Sequence, residues 1–343
     1  MKNKVPDILL IYTGGTIGMV KDYKSNALKP FDFDNIKSKI PELKLLDCKI
    51  ETTTFSNPID SSDMSPKHWV MIAEIIEKRY HDIDGFVVLT GTDTMSYTAS
   101  ALSFILENLS KPVIFTGSQL PIGDLRTDAK ENLITAIQVA ASHENGSPKV
   151  QEVGLYFEYK LYRANRTTKV SSEQFEAFES PNYPHLCESG VHLNFNDQWL
   201  YRANRKGSLK LQKNLNANVV ILKLFPGISR IMVEHILSCP DLEGVVLETY
   251  GSGNALTDKW FSDLLNKTFE QKIPVINVTQ CISGGVIMGH YETSMHLKRA
   301  GVISGKNITT ESAIAKLKLL LGQQITFENF KLEFETSIRG EMS

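Results

Sequence analysis

The stretch Ile8-Leu9-Leu10-Ile11-Tyr12, followed at once by Thr13-Gly14-Gly15-Thr16-Ile17-Gly18, indicates how this chain folds. Its first part is a short continuous apolar run, which is typical of a strand buried on both faces of a parallel sheet. Its second part is a glycine turn that carries hydroxyl groups. Because similar runs alternate with helix-period segments along the chain, the sequence predicts an α/β fold.

Further apolar runs predict the other strands, namely Phe86–Leu89, Val113–Phe115, Val153–Phe157, Val219–Leu224, Val245–Leu247 and Val275–Val278. Apolar side chains at helical spacing predict amphipathic helices. Their faces are Trp69, Ile72, Ala73, Ile76 and Tyr80; Leu102, Ile105, Leu106 and Leu109; Leu133, Ile137, Ala140 and Ala141; and Ile314, Leu317, Leu320 and Leu321.

A length of 343 residues suits two domains better than one. The periodic pattern breaks between Asn194 and Asn218, where the chain is polar. We therefore predict a larger N-terminal α/β domain over residues 1–195, with a mostly parallel, Rossmann- or flavodoxin-like sheet. A linker over residues 196–217 and a smaller C-terminal α/β domain over residues 218–343 follow it.

The composition indicates a cytoplasmic protein that acts on a small molecule. The net charge is −2, and no basic run is present, so neither nucleic acid nor a membrane is an expected partner. The apolar run near the N-terminus is too short for a signal-peptide core of ~7–15 residues. The four cysteines have neither zinc-ligand spacing nor a C-x-x-C pair, so we expect reduced thiols and no metal or other cofactor.

The turn Thr13–Gly18 matches neither of the common phosphate-binding loops. Its glycines lack the G-x-G-x-x-G spacing of dinucleotide-binding proteins, and no Gly-Lys-Ser/Thr sequence is present. The glycines let the backbone approach a ligand closely, and Thr16 adds a hydroxyl there. Taken alone, the segment could still be a purely structural glycine turn.

Other polar loops follow predicted strands or precede predicted helices, and open α/β sheets bind ligands beyond the carboxyl ends of their strands. They are Thr90–Thr94, Asp60–Asp63, Thr116–Gln119 and Arg163–Lys169. Helix capping also explains the first two. A lysine such as Lys169 is usually a solvated charge, but if it is buried beside Asp93 and Thr92 it could act as a neutral base. This inventory suits acyl transfer by a hydroxyl nucleophile; a serine-hydrolase triad is disfavoured because no G-x-S-x-G elbow is present.

Two of these segments together resemble the signatures of the bacterial-type asparaginase/glutaminase family: Thr13–Met19, and Gly91-Thr92-Asp93-Thr94-Met95. The similarity continues over nearly the whole chain, in Asp60–Met64, Thr116–Gln119, Asn165–Lys169, Tyr250–Ala255 and Thr279–Cys281. The wording Arg-Thr-Thr-Lys at 166–169 is similar to that of the cytoplasmic type I branch. The resemblance implies an L-asparaginase, which converts L-asparagine and water to L-aspartate and ammonia.

The resemblance also implies roles for individual residues. Thr16 would attack the side-chain amide carbon and form an acyl-enzyme. Thr92, Asp93 and Lys169 would form a second triad, in which Lys169 accepts a proton from Thr92 and Asp93 also binds the substrate ammonium. Asp60 and Ser61 would bind the α-carboxylate and α-amino groups of the substrate. The Ser118 backbone would lie near the amide, and Asn254 would reach into a neighbouring subunit's site. A homo-oligomer, dimer or tetramer, is expected.

Two positions depart from the family pattern. Many members have a tyrosine about ten residues after the nucleophile; Leu28 aligns there, so the activating residue would be Tyr291 or, less favoured, Tyr23. Some type I relatives have an allosteric asparagine site at an arginine that Glu248 replaces here, so we expect no such regulation. A related amidase that prefers L-glutamine or another amide, and a non-catalytic amino-acid sensor, remain the alternatives.

Overall fold

The computed structural model describes residues 5–21, 28–30, 40–202, 207–289 and 292–343. It divides into two compact units, Met1–Gln212 and Lys213–Ser343. The division lies within the stretch 196–217 that the sequence analysis treats as a linker. Within that stretch, Lys210–Leu211 pairs with Leu106–Glu107 of the N-terminal unit.

The N-terminal unit is built on an eight-stranded sheet, and its other strands form two-stranded sheets. Its strands are β1 (Asp7–Tyr12), β2 (Met19–Lys21), β3 (Leu28–Pro30), β4 (Lys49–Thr54), β5 (Gly85–Leu89), β6 (Leu106–Glu107), β7 (Val113–Thr116), β8 (His143–Glu144), β9 (Ser147–Pro148), β10 (Val153–Phe157), β11 (Lys160–Arg163), β12 (Thr168–Lys169), β13 (Phe178–Glu179), β14 (Cys187–Ser189), β15 (Leu193–Phe195) and β16 (Lys210–Leu211). Its α-helices are α1 (Pro66–Arg79), α2 (Met95–Ile105) and α3 (Ala129–Ala141).

The large sheet has the order β15-β14-β11-β10-β7-β5-β1-β4. Strands β4, β1, β5, β7 and β10 run parallel, and β11, β14 and β15 extend the sheet with antiparallel pairings. The apolar run from Ile8 to Tyr12 is fully buried in β1. Because β1, β5 and β7 are parallel neighbours, their carboxyl ends lie side by side, and the loops that follow them meet at one edge of the sheet.

The C-terminal unit is a second α/β unit built on a four-stranded sheet. Its elements are β17 (Val219–Lys223), α4 (Arg230–Leu237), β18 (Gly244–Thr249), α5 (Lys259–Glu270), β19 (Val275–Thr279), α6 (Glu292–Arg299), β20 (Ile303–Ser304), α7 (Thr310–Gly322) and α8 (Phe327–Glu335). The strands β17, β18, β19 and β20 are all parallel. In the part of the chain that is described, no helix has the length and apolar character needed to cross a membrane.

The predicted fold class is confirmed, since both units are α/β and the larger sheet is mostly parallel. One predicted helix face was partly wrong. Helix α2 ends at Ile105, and Leu106 leaves the helical conformation to pair with Leu211 as part of β6. The predictions also missed the parallel strands β4 and β20, the antiparallel strands and the helices α4, α5, α6 and α8.

Candidate active site

The loop after β1 carries Thr16 and lies directly against the loop after β5. Thr13 joins the two strand ends, because its N–H and its hydroxyl both donate to the Leu89 carbonyl oxygen, at 2.9 and 3.0 Å. Gly15 then has a φ of 90°, which a residue with a side chain rarely adopts. A Cβ on Gly15 would lie 2.5 Å from the Gly91 Cα. The lack of a side chain at Gly15 therefore lets the Thr16 loop touch the second loop's backbone.

A third loop, carrying Asp60 and Ser61, packs on the same two glycine loops. The Ile59 N–H donates to the Thr13 carbonyl oxygen at 2.8 Å. A Cβ on Gly91 would lie 2.7 Å from the Ser61 Cβ, so Ser61 sits against the second loop. The structure thus brings together the loops of Thr16, of Asp60 and Ser61, and of Thr92 and Asp93.

Asp60 is an exposed carboxylate at the start of a short 3-10 turn. The Ser62 backbone N–H donates to it at 2.9 Å and the Ser62 hydroxyl at 2.8 Å. These two hydrogen bonds lower the pKa of Asp60, with the backbone bond having the larger effect. Asp60 therefore carries a negative charge at neutral pH, next to the buried Ser61.

Lys169 contacts both side chains of the predicted second triad. Its Nζ lies 2.8 Å from the Thr92 Oγ1 and 2.7 Å from the Asp93 Oδ1. The Lys169 side chain is 17% exposed, whereas that of Asp93 is 67% exposed. The Thr92 hydroxyl can also donate to the Gln119 Oε1 at 3.3 Å. Gln119 lies in the segment Thr116–Gln119, whose sequence predicts no role for it.

The segment that ends at Lys169 runs back along α2 towards the N-terminus of that helix. The Ser100 hydroxyl donates to the Ala164 carbonyl oxygen at 3.4 Å, and the Thr167 hydroxyl lies 3.2 Å from the Ser96 hydroxyl. Each step along the segment therefore meets α2 about one turn closer to Thr92. The sequence predicts that this segment directly follows Val153–Phe157, but β11 intervenes and pairs antiparallel with β10.

The loop after β7 carries Ser118, and hydrogen bonds to Asp128 hold this loop in place. The Asp128 carboxylate accepts hydrogen bonds from the backbone N–H groups of Gln119, at 2.8 Å, and Leu120, at 3.1 Å. The Ser118 hydroxyl is buried and donates to the Leu120 carbonyl oxygen at 2.6 Å. The hydroxyl of Ser118 is thus used inside the loop, which leaves its backbone as the part able to meet a ligand.

Asn254 lies in the C-terminal unit, in a tight turn after β18. The backbones of Tyr250 and Asn254 pair through two hydrogen bonds, of 2.9 and 2.8 Å. The turn is held by the fully buried Asn277, whose Nδ2 donates to the Gly253 carbonyl oxygen at 3.3 Å.

Glu248 is held within the C-terminal unit by two partners. The Thr310 hydroxyl donates to its Oε1 at 2.7 Å, and the Lys223 Nζ lies 3.3 Å from its Oε2. Both candidate activating residues, Tyr23 and Tyr291, lie outside the described residues, and so does the side chain of Leu28.

Comparison with known protein families and structures identifies the family to which the chain belongs. Residues 7–201 match the family "Asparaginase, N-terminal", and residues 218–334 match the "Glutaminase/Asparaginase C-terminal domain". The chain belongs to the asparaginase family. The resemblance inferred from the Thr13–Met19 and Gly91–Met95 segments is therefore confirmed.

Individual relatives match this asparaginase over nearly its whole length. L-asparaginase 1 of Escherichia coli K12 is 40% identical over 343 residues, with 98% of each chain covered. The crystal structure of L-asparaginase I from Vibrio cholerae has 38% identity and a TM-score of 0.89, and covers 98% of this chain and 99% of its own. The thermostable L-asparaginase from Thermococcus kodakarensis has 31% identity and a TM-score of 0.88, with the same coverage of each chain.

Proposed function

We propose that this protein hydrolyses L-asparagine to L-aspartate and ammonia through an acyl-enzyme on Thr16. The observation that carries the proposal is the contact of the Lys169 Nζ with both the Thr92 hydroxyl and the Asp93 carboxylate. Lys169 thereby joins the hydroxyl and the carboxylate of the loop that the Thr16 loop touches at Gly91. The names and the extent of the relatives described above agree with this activity.

In the first step, the Thr16 Oγ1 attacks the side-chain amide carbon of asparagine. The C–N bond of the resulting tetrahedral intermediate then breaks, the nitrogen takes up a proton and ammonia leaves, with an ester left on Thr16. Water adds to this ester and releases aspartate. Backbone N–H groups of the glycine turn suit the developing oxyanion, since preorganised donors of this kind stabilise it most effectively.

Lys169 and Thr92 supply proton transfer. Lys169, when it is unprotonated, accepts the Thr92 proton across their 2.8 Å contact, and the Thr92 oxygen is then able to take a proton from the attacking hydroxyl or water. The Asp93 Oδ1 lies 2.7 Å from the Lys169 Nζ, and the substrate ammonium gives this carboxylate a cationic partner. The exposure of Asp93 makes it available to that ammonium.

Substrate recognition uses opposite charges placed close together, because a free amino acid carries both. Asp60 and Asp93 face the ammonium, and Ser61 contributes to binding of the α-carboxylate. The Ser118 backbone lies at the side-chain amide. Asn254 acts in the site of a neighbouring subunit.

We also propose that the enzyme works in the cytoplasm as a homo-oligomer, a dimer or a tetramer. Cys187, Cys239 and Cys281 are free thiols, which suits a reducing compartment. The role given to Asn254 requires a second subunit. The C-terminal unit also exposes several large apolar side chains, which suits burial against another chain: Ile221, Phe225, Ile231 and Met232.

Ammonia release from L-asparagine and from L-glutamine, measured side by side, tests the activity. Thr16→Val keeps the shape of the side chain and removes the hydroxyl, so we expect it to abolish turnover, whereas Thr16→Ser keeps a nucleophile and part of the rate. An active Thr16→Val enzyme would refute the nucleophile assignment. Faster turnover of glutamine would reassign the substrate, and no turnover of either amide by the wild type would favour an amino-acid sensor.

A further inference from the structure

Tyr12 lies directly beneath the turn that carries the proposed nucleophile. It is the last residue of β1 and is 1% exposed. Its hydroxyl donates to the Gly15 carbonyl oxygen at 3.3 Å. A Cβ on Gly18 would overlap the Tyr12 Cζ and hydroxyl oxygen. Gly18 therefore provides the space that the Tyr12 ring occupies, and the turn from Gly15 to Gly18 is wrapped over this ring.

The Gly15 carbonyl oxygen accepts two hydrogen bonds on the inner side of the turn. One comes from the Tyr12 hydroxyl, and the other comes from the Gly18 N–H at 3.2 Å. In a trans peptide the C=O and the following N–H point in opposite directions. With the Gly15 carbonyl held inward, the N–H of Thr16 points outward, away from Tyr12.

We propose that Tyr12 is a positioning residue, whose hydroxyl fixes the Gly15–Thr16 peptide so that the Thr16 N–H can donate to the oxyanion of the reaction. The proposal rests on the proposed function, in which Thr16 is the nucleophile. Such a donor is effective only when its direction is set before the reaction. Tyr12 acts through the Gly15 carbonyl.

Tyr12 serves as a hydrogen-bond donor and does not activate Thr16 as a base. Its burial raises the pKa of the Tyr12 hydroxyl to about 12, so the hydroxyl keeps its proton throughout the neutral range. This distinguishes Tyr12 from Tyr291 and Tyr23, which are the candidates for proton transfer to or from Thr16.

The test is Tyr12→Phe, which keeps the ring and its contact with Gly18 and removes only the hydroxyl. We expect kcat to fall about five- to tenfold, the effect of losing one hydrogen bond in the transition state. KM is expected to stay within about twofold and the pH profile to keep its shape, because ground-state binding and proton transfer are untouched. A role in stability alone would lower the thermal midpoint and leave kcat unchanged.

Tyr80→Phe is the matched control, because Tyr80 is also buried in the N-terminal unit and its hydroxyl bonds the Ser110 side chain and N–H, at 3.0 and 2.8 Å. It is expected to lose stability with kcat unchanged. Gly18→Ala is a second route to the same effect, since the new methyl displaces the Tyr12 ring. The double variant of Tyr12 and Gly18 should lose less than the product of the two single effects, because both act on one contact.

A folded Tyr12→Phe enzyme with wild-type kcat, or with a change in KM alone, would overturn the proposal. So would independent, fully multiplicative effects of Tyr12→Phe and Gly18→Ala. Thr16→Val is measured in the same assay. If Thr16→Val is inactive while Tyr12→Phe is fully active, only the role of Tyr12 fails. If Thr16→Val is active, the proposed function is refuted, and the role of Tyr12 that rests on it is refuted with it.

Discussion

Replacement of Gly15 by alanine tests whether the close contact between the first two loops controls turnover. Gly15 has φ 90° and ψ 171°, a backbone region that costs other residues about 1–3 kcal/mol. The new Cβ would lie 2.5 Å from the Gly91 Cα, whereas ordinary contact begins at 3.4 Å. The two loops must therefore separate by about 1 Å to restore normal packing.

A shift of that size moves the proposed nucleophile relative to Thr92 and Lys169. We expect kcat to fall on the order of 100-fold, since a displacement of about 1 Å has this effect on oriented reacting groups. The assay is steady-state ammonia release from L-asparagine, with thermal unfolding of the same sample to establish that the variant is folded.

Gly146→Ala is the matched control for the backbone cost. Gly146 also has a positive φ, of 75°, but a Cβ there meets nothing within 4 Å. This variant should lose stability and keep the wild-type kcat. If folded Gly15→Ala retains kcat within about threefold of the wild type, the loops tolerate separation and the reasoning from their contact is refuted.

Three further predictions concern other residues. Tyr291→Phe should strongly lower kcat for asparagine if Tyr291 activates Thr16; near-normal turnover would shift the assignment to Tyr23. Rate against asparagine concentration should be hyperbolic, because the Glu248 carboxylate repels the α-carboxylate of an asparagine at that position; sigmoidal kinetics that disappear in Glu248→Gln or Cys281→Ser would contradict this. Burial, and then nearby carboxylates, raise the pKa of Glu158 from 4.5 to about 7. The stability from protonated Glu158 is thus present below pH 4.5 and is lost as pH rises through 7; the thermal midpoint should fall over that window in the wild type and less in Glu158→Gln. The carboxylates that raise the pKa of Glu158 are those of Asp128, Glu131 and Glu176.

Most of the parallel strands could be predicted because each of these is a continuous apolar run whose burial needs no partner information. Val153–Phe157 has the predicted bounds, and Val245–Leu247 lengthens only to Gly244–Thr249. The edge strand Lys49–Thr54 has one buried residue, Ile50, among polar neighbours, so its pattern gives no strand signal. It forms because β1 offers a parallel edge to pair with, and that edge exists only in the folded chain.

Helix α2 ends early for a similar reason, namely a pairing that exists only in the folded chain. Leu106 and Leu109 continue the helical spacing of Leu102 and Ile105, so local pattern favours a longer helix. Leu106 instead pairs with Leu211, a partner far along the chain that no local window contains. Helix α5 differs, because its buried residues Phe261, Leu264, Leu265 and Thr268 have the spacing of an amphipathic helix. The sequence therefore contains a signal for this helix.

Part of the candidate site also follows from features that the sequence predicts, and part of it does not. Loops after β1, β5 and β7 meet because their strands are parallel neighbours, so the proximity of the loops that carry Thr16, Thr92 and Ser118 follows from topology. Lys169 does not follow from that rule, because β11 runs antiparallel and carries the chain away from the carboxyl edge. The chain returns only because Ala164 and Thr167 bond to successive turns of α2. Ser100 and then Ser96 make these contacts on one face of α2, so the segment approaches Thr92 along that face before it reaches Lys169.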